Sequence, residues 1–292
     1  MTGRRQVLAA AGALMCTAAC TIDPDQDHAG ADAPSSGPLP NAPRVAWVFS
    51  SGGPRGFVHV GVLKALDELA LLPDLIVGAS VGALVGVLRA SGMPAREIVA
   101  LALDLQPLQM ARVALTGDER LSGSSLRDLV RERVTPRLLE RLPIPMVCVT
   151  RRLADDTVVG FNRGDAGVAV QASAAIEGQF TPVRIRGQRH TDADRRMPLP
   201  VRLARALGAT RVLAVDASAH EDRPPPGAER FRHGDLQKRA LTQPDAALAD
   251  VLLHPDFGYW VNLSREFRER AIEAGYRATL ANADRLRALH AA

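Results

Sequence analysis

The chain has 292 residues, 47% hydrophobic and 23% charged, with 36 Lys and Arg against 32 Asp and Glu for a net charge of +4. That length suffices for one sizeable hydrophobic core, so a single globular domain is the default. With no basic run and no aromatic platform, the balance argues against a nucleic-acid partner. Lysine stands only at positions 64 and 238, and the arginine skew reads as genomic composition bias.

Residues 1–20 read as an address. Arg4 and Arg5 precede an apolar run through Met15 that is too short to span a bilayer and is ended by small residues, the pattern of a cleavable export signal. The Arg-Arg-x-Val-Leu order resembles a twin-arginine leader, and Thr17-Ala18-Ala19-Cys20 resembles a bacterial lipobox. Lipid on Cys20 would anchor an exported protein to a membrane of the bacterial envelope, facing the periplasm. A plain signal peptide with an incidental cysteine is the alternative. Residues 21–43, with Asp23, Asp25, Asp27 and Asp32, several prolines and no basic residue, read as a flexible, solvated tether. The globular domain is then 44–292. Within it Cys148, in an apolar strand, is the single remaining thiol and reads as packing.

From residue 44 onward strand and helix patterns alternate. A strand at 45–49 leads into Ser51-Gly52-Gly53-Pro54-Arg55-Gly56 and a helix at 57–69. A second strand at 75–77 leads into Gly78-Ala79-Ser80-Val81-Gly82 and an apolar helix at 81–90, ended by Ser91-Gly92-Met93-Pro94. Helical periods follow at 94–105 and 124–141. Next come a strand at 158–161 with a turn, a small-residue helix at 166–176, a hairpin at 183–191, a helix at 198–207 stopped at Gly208, and a last strand at 212–215. Short apolar strands separated by helices imply a mostly parallel sheet covered on both faces.

Gly78 to Gly82 is a GxSxG sequence in the context a nucleophile elbow requires. The serine of such a strand-to-helix turn is held in a strained conformation, and small residues two positions to either side let neighbouring backbone pass. Ser80 is therefore the candidate nucleophile. Gly52 and Gly53, at the mouth of a helix starting near Gly56, can aim backbone amides at a developing oxyanion, with Arg55 supporting the loop. The loop matches neither GxGxxG nor GxxxxGK[ST], which argues against phosphate binding. No metal or cofactor fingerprint is visible.

Two stretches, Ser50-Ser51-Gly52-Gly53-Pro54-Arg55-Gly56 with the helix after it, and 187–216 with its Asp192-Ala193-Asp194, resemble the patatin-like phospholipase family, over roughly residues 44–280. The resemblance implies a three-layer α/β/α fold and acyl-ester hydrolysis by a Ser-Asp dyad without histidine. Ser80 would be the nucleophile, Asp192 the base, and the amides around Gly52 and Gly53 the oxyanion hole. The implied substrate is a phospholipid, lysophospholipid or other lipid ester. Three segments depart from the family pattern: Ser51 replaces its first glycine, Glu177 the proline of Ile-Pro-Gly, and Ala193-Asp194 the small pair after the aspartate. Asp194 is the alternative base. Two rival readings stay open: an α/β-hydrolase triad using His220, His233 or His254, and a binding module that keeps the fold without turnover.

Overall fold

A computed structural model of the chain describes residues 26–105, 112–114, 119, 121–219 and 224–291. The leader, Cys20 and His220 lie outside the described residues.

An eight-stranded sheet organises the molecule, in the order β10 (Val251–Leu253), β9 (Arg211–Val215), β1 (Val45–Phe49), β2 (Leu75–Ala79), β5 (Met146–Arg152), β8 (Gln188–Asp192) and β7 (Val183–Ile185), with β6 (Val158–Phe161) also paired to β5. The pairings from β10 to β5 are parallel; those that add β6, β8 and β7 are antiparallel. A separate two-stranded ribbon joins β3 (Arg112–Val113) to β4 (Leu121–Ser122). The sheet is thus parallel through its centre and mixed at the side that carries Asp192.

Strand alternation sorts the core into two unequal halves. Val45, Trp47 and Phe49 of β1 enter the larger cluster, together with α1 (Phe57–Glu68), α2 (Val81–Ala90), α3 (Ala95–Asp104), α4 (Ser124–Arg133), α5 (Ala166–Ser173), α8 (Arg265–Leu280) and α9 (Ala283–His290). Ala46 and Val48 enter the smaller one, under α6 (Val201–Ala206) and the end of α7 (Arg232–Ala246). Helices on both faces of one sheet make the three-layer α/β/α fold that the sequence implied.

The helix expected over 124–141 ends at Arg133. Val134 is extended, and Pro136 can neither donate to a helix nor let the residue before it settle in helical conformation. Residues 26–43 also differ from expectation, since they are bonded to the domain rather than solvated. His28 bridges Ile185 at the outer edge of the sheet, and Ser35 bridges Arg163. The Asn162 side chain accepts from Gly37 N at 2.8 Å and donates to Gly37 O at 2.7 Å, and Ala33 is buried. Main-chain pairing at an edge strand needs no apolar side chain, so a composition that predicted no packing did not prevent docking.

Candidate active site

The register of β5 brings the two candidate catalytic residues together. Val149 pairs with Ala79 of β2 on one side and Gly160 of β6 on the other; the next residue, Thr150, pairs with Asp192 of β8 and with Val159. β8 therefore takes up the edge of β5 that β2 leaves at Ala79, and the residue following Ala79 is Ser80.

Ser80 has φ 56° and ψ −123°, a positive φ that costs a non-glycine residue about 1–3 kcal/mol. The turn is held by its surroundings. The Ser80 amide donates to Ser173 Oγ at 2.9 Å, and that hydroxyl donates to Val149 O at 2.6 Å. A Cβ on Gly78 would lie 2.3 Å from Gly82 O, and one on Gly82 would lie 2.4 Å from Phe49 O. No side chain fits either place, which is the close backbone passage the GxSxG pattern encodes.

Asp192 is 4% exposed. Burial pushes the carboxyl up to about 6, opposed by the neighbouring Ser80 hydroxyl and by the positive charges of Lys238 and Arg151. Its Oδ1 also accepts the Asp194 amide at 2.8 Å, closing the Asp-Ala-Asp turn. Among the described residues neither Ala193 nor Asp194 has a positive φ, so this turn does without the family's glycine. Ala193 is instead fully buried in the smaller core.

Asp194 is engaged elsewhere. It accepts from the Ser51 hydroxyl and is ion-paired with Lys238, and Lys238 Nζ donates to Ser51 Oγ at 3.0 Å. Glu177, the other departure, pairs with Arg151 and, at 3.5 Å, with Arg195. Each unusual side chain around the site thus meets a cation.

The glycine loop is fixed by amides other than those proposed for the oxyanion. Ser51 N donates to Pro198 O at 2.9 Å and Arg55 N to Gly52 O at 3.1 Å. Gly52 packs against Ala217, whereas Gly53, with φ +53°, has open space where a side chain would be. Arg55 is buried, donates to Ala217 O at 2.8 Å and Tyr259 O at 3.0 Å, and lies over the Phe257 ring. It anchors the loop to the chain segments on both sides of α7.

Gly53 and Ser80 open on a cavity of about 360 Å³ between α1, α2, α3 and α4. Its walls are apolar, with Val60, Leu84, Leu88, Ile98, Leu126 and Phe180 among them. Leu101, Ala102 and Leu105, from the helical period read over 94–105, also line it.

The histidines stand apart. His59 Nε2 contacts Ser50 O at 3.0 Å and His190 Nδ1 contacts Thr150 Oγ1 at 3.4 Å; burial lowers both to about 4, leaving them neutral rings in the core. His254 contacts Asp216 O at 3.0 Å, and His233 is exposed on α7. Among the described residues no histidine hydrogen bond reaches Ser80 or Asp192, and no group of three or more His, Cys, Asp or Glu could hold a metal. Sequence reading missed Ser173 and Lys238. Ser173 lay unmarked in a small-residue helix, while Lys238 did carry a signal as one of two lysines in an arginine-rich chain.

A sequence model described as patatin-like phospholipase matches residues 47–205, which include Ser80 and Asp192. An NTE family protein of Mycobacterium tuberculosis is 33% identical over 214 residues, covering 72% of this chain and 59% of its own length. Patatin-like phospholipase domain-containing protein 6 of Homo sapiens is 27% identical over 188 residues, 61% of this chain and 14% of that protein. The chain thus spans less than two thirds of the curated relatives it matches. The solved structure of VipD from Legionella pneumophila covers 84% of this chain and 67% of its own, with a TM-score of 0.47 and 14% identity.

Proposed function

From the premise that this chain belongs to the patatin-like phospholipase family, we propose that it is a serine acyl hydrolase of lipid esters, working through a Ser80-Asp192 dyad. One observation carries the reading: Ser80 and the buried Asp192 carboxyl, which its hydroxyl helps to keep ionised, meet at the mouth of an apolar cavity that Gly53 also lines.

The acyl chain lies in the cavity with its carbonyl carbon at Ser80 Oγ. Ser80 attacks as its proton passes to Asp192, and the negative carbonyl oxygen is held by backbone amides of the glycine loop, Gly53 foremost. Collapse breaks the ester C–O bond, and the leaving alcohol takes the proton from Asp192. Water then attacks the acyl-enzyme, giving its proton to Asp192, and the fatty acid departs as Ser80 recovers its hydrogen. A carboxyl raised to about 6 suits this work better than one at its ordinary value of 3.8. Removing a single oxyanion donor costs about 3 kcal/mol in comparable hydrolases.

The expected result is covalent labelling by a fluorophosphonate probe and hydrolysis of p-nitrophenyl acyl esters, both lost in Ser80→Ala. Labelling without turnover of any lipid ester would favour the binding-module reading. A triad is tested by His220→Ala and His254→Ala, which should keep turnover within about threefold, against the roughly hundredfold or greater loss expected of a general base.

The same reading places the protein outside the cytoplasm, anchored by lipid on Cys20. Its support is the leader sequence; among the described residues no helix is long and apolar enough to cross a membrane. Cys20→Ala should move the protein from the membrane fraction to the soluble one and abolish labelling by radioactive palmitate.

A further inference from the structure

Two of the three departures from the family pattern, Ser51 and Asp194, lie 143 positions apart in sequence and touch each other. A third group completes the contact: Lys238 Nζ donates to Ser51 Oγ at 3.0 Å and pairs with Asp194. Glycines at 51 and 194 would leave such a lysine with no partner in either place, and the two polar side chains without the lysine would leave Asp194 uncompensated beside Asp192. The three residues therefore make sense only as a set. α7 delivers the lysine, and Arg55 fixes the path of the chain before and after α7 by its bonds to Ala217, Gly258 and Tyr259.

We propose that Lys238 is a positioning residue that fastens the glycine loop to the Asp192 turn through Ser51 and Asp194, and supplies the positive charge that offsets Asp194 beside the dyad. The proposal rests on the hydrolase reading for its catalytic consequence, but not for the charge arrangement itself. The groups facing Asp192 are few. The Ser80 hydroxyl favours its ionised form from the elbow, Lys238 acts on it from α7, and Asp194 gives it a backbone amide from the same turn. Arg151 acts from β5, its own guanidinium held by Asp156 and Glu177, which also bind Arg196 and Arg195. Lysine, unlike arginine, can lose its proton near neutrality when buried, and burial lowers Lys238 to about 8 against the pull of Asp192.

The signs follow from which charge is left. Without Lys238, Asp192 loses a cation that favours its ionised form and is left two residues from an uncompensated Asp194, so it holds its proton more tightly; without Asp194, the Lys238 charge acts on it unopposed and it releases its proton more readily. In full-length protein, the titration of Asp192 read by carboxyl carbon NMR, assigned with Asp192→Asn, should rise by about one pH unit in Lys238→Met and fall by about as much in Asp194→Asn. The Lys238→Met/Asp194→Asn double variant, again neutral, should return to within a few tenths of wild type. The acid limb of kcat/KM on a chromogenic ester should move in the same directions. A lysine that merely packs would leave the titration unmoved in all three, or move both single variants the same way, and either result would overturn the proposal. Lys238→Gln stands in if Lys238→Met does not fold. The NMR reading needs no turnover, so shifts of the expected sign without hydrolysis would remove only the hydrolase reading. Hydrolysis with an unmoved Asp192 would remove only the role of Lys238.

Discussion

At the level of single residues, the proposed chemistry depends on a carboxylate kept in an unfavourable place. Asp192 must be ionised to accept a proton, so kcat/KM should climb with pH through about 6 and reach a plateau, which a pH–rate profile checks. Above about 8 Lys238 loses its charge and Asp194 is left uncompensated, which predicts a second inflection there. Asp192 also bears on stability. Its folded pKa lies above its ordinary 3.8, so the folded state binds this proton more tightly, and the associated stability is complete below 3.8 and lost as pH rises through about 6. The penalty at pH 8 is on the order of 3 kcal/mol. Asp192→Asn should therefore melt at a higher temperature than wild type at pH 8, with little gain at pH 4, while losing about 10³ in turnover. Ser80 with its neighbours Gly78 and Gly82 stood out in sequence as a candidate because the backbone demands of the elbow leave a pattern there, whereas Asp192 was placed by the family resemblance alone. Lys238 carried only the signal of its rarity, because nothing local announces that a helix residue will arrive at a turn 44 positions upstream.

At the level of elements, the strands and helices that flank the loops follow their sequence periods closely. β1, β2 and α2 are apolar runs and α1 is a largely apolar helix opened at Gly56; local pattern decides such segments. β10 escaped notice: three residues, one of them exposed, are too short for alternation to register, and their strand character comes from pairing with β9. The cavity was not visible in sequence: the helical periods placed α1, α2, α3 and α4, but that their apolar faces enclose a common space needed the folded arrangement. Filling it gives an element-scale test. Leu88→Phe on α2 should reduce hydrolysis of long-chain p-nitrophenyl esters far more than that of the butyrate, read as separate kcat/KM values across a series of acyl lengths. An equal loss for every chain length would place the acyl group elsewhere.

Across the whole molecule, the segment before β1 belongs to the folded unit. Residues 26–43 cover the outer edge strand and brace the β6–α5 connection through Asn162, Arg163 and Asp165. A chain starting at residue 44 would lose these main-chain bonds and uncover the edge of β7. It should melt several degrees below one starting at residue 26, as scanning calorimetry would show, and should aggregate more readily. Where β5 meets its neighbours, two consecutive residues, Val149 and Thr150, set the position of both the elbow strand and the aspartate strand. The proposed nucleophile and base, 112 positions apart along the chain, are gauged against a single peptide unit. Adding or deleting one residue in β8 ahead of Asp192 would turn the carboxylate to the opposite face of the sheet. Natural or engineered length changes should consequently be tolerated in the connections of this sheet and forbidden within β8 itself.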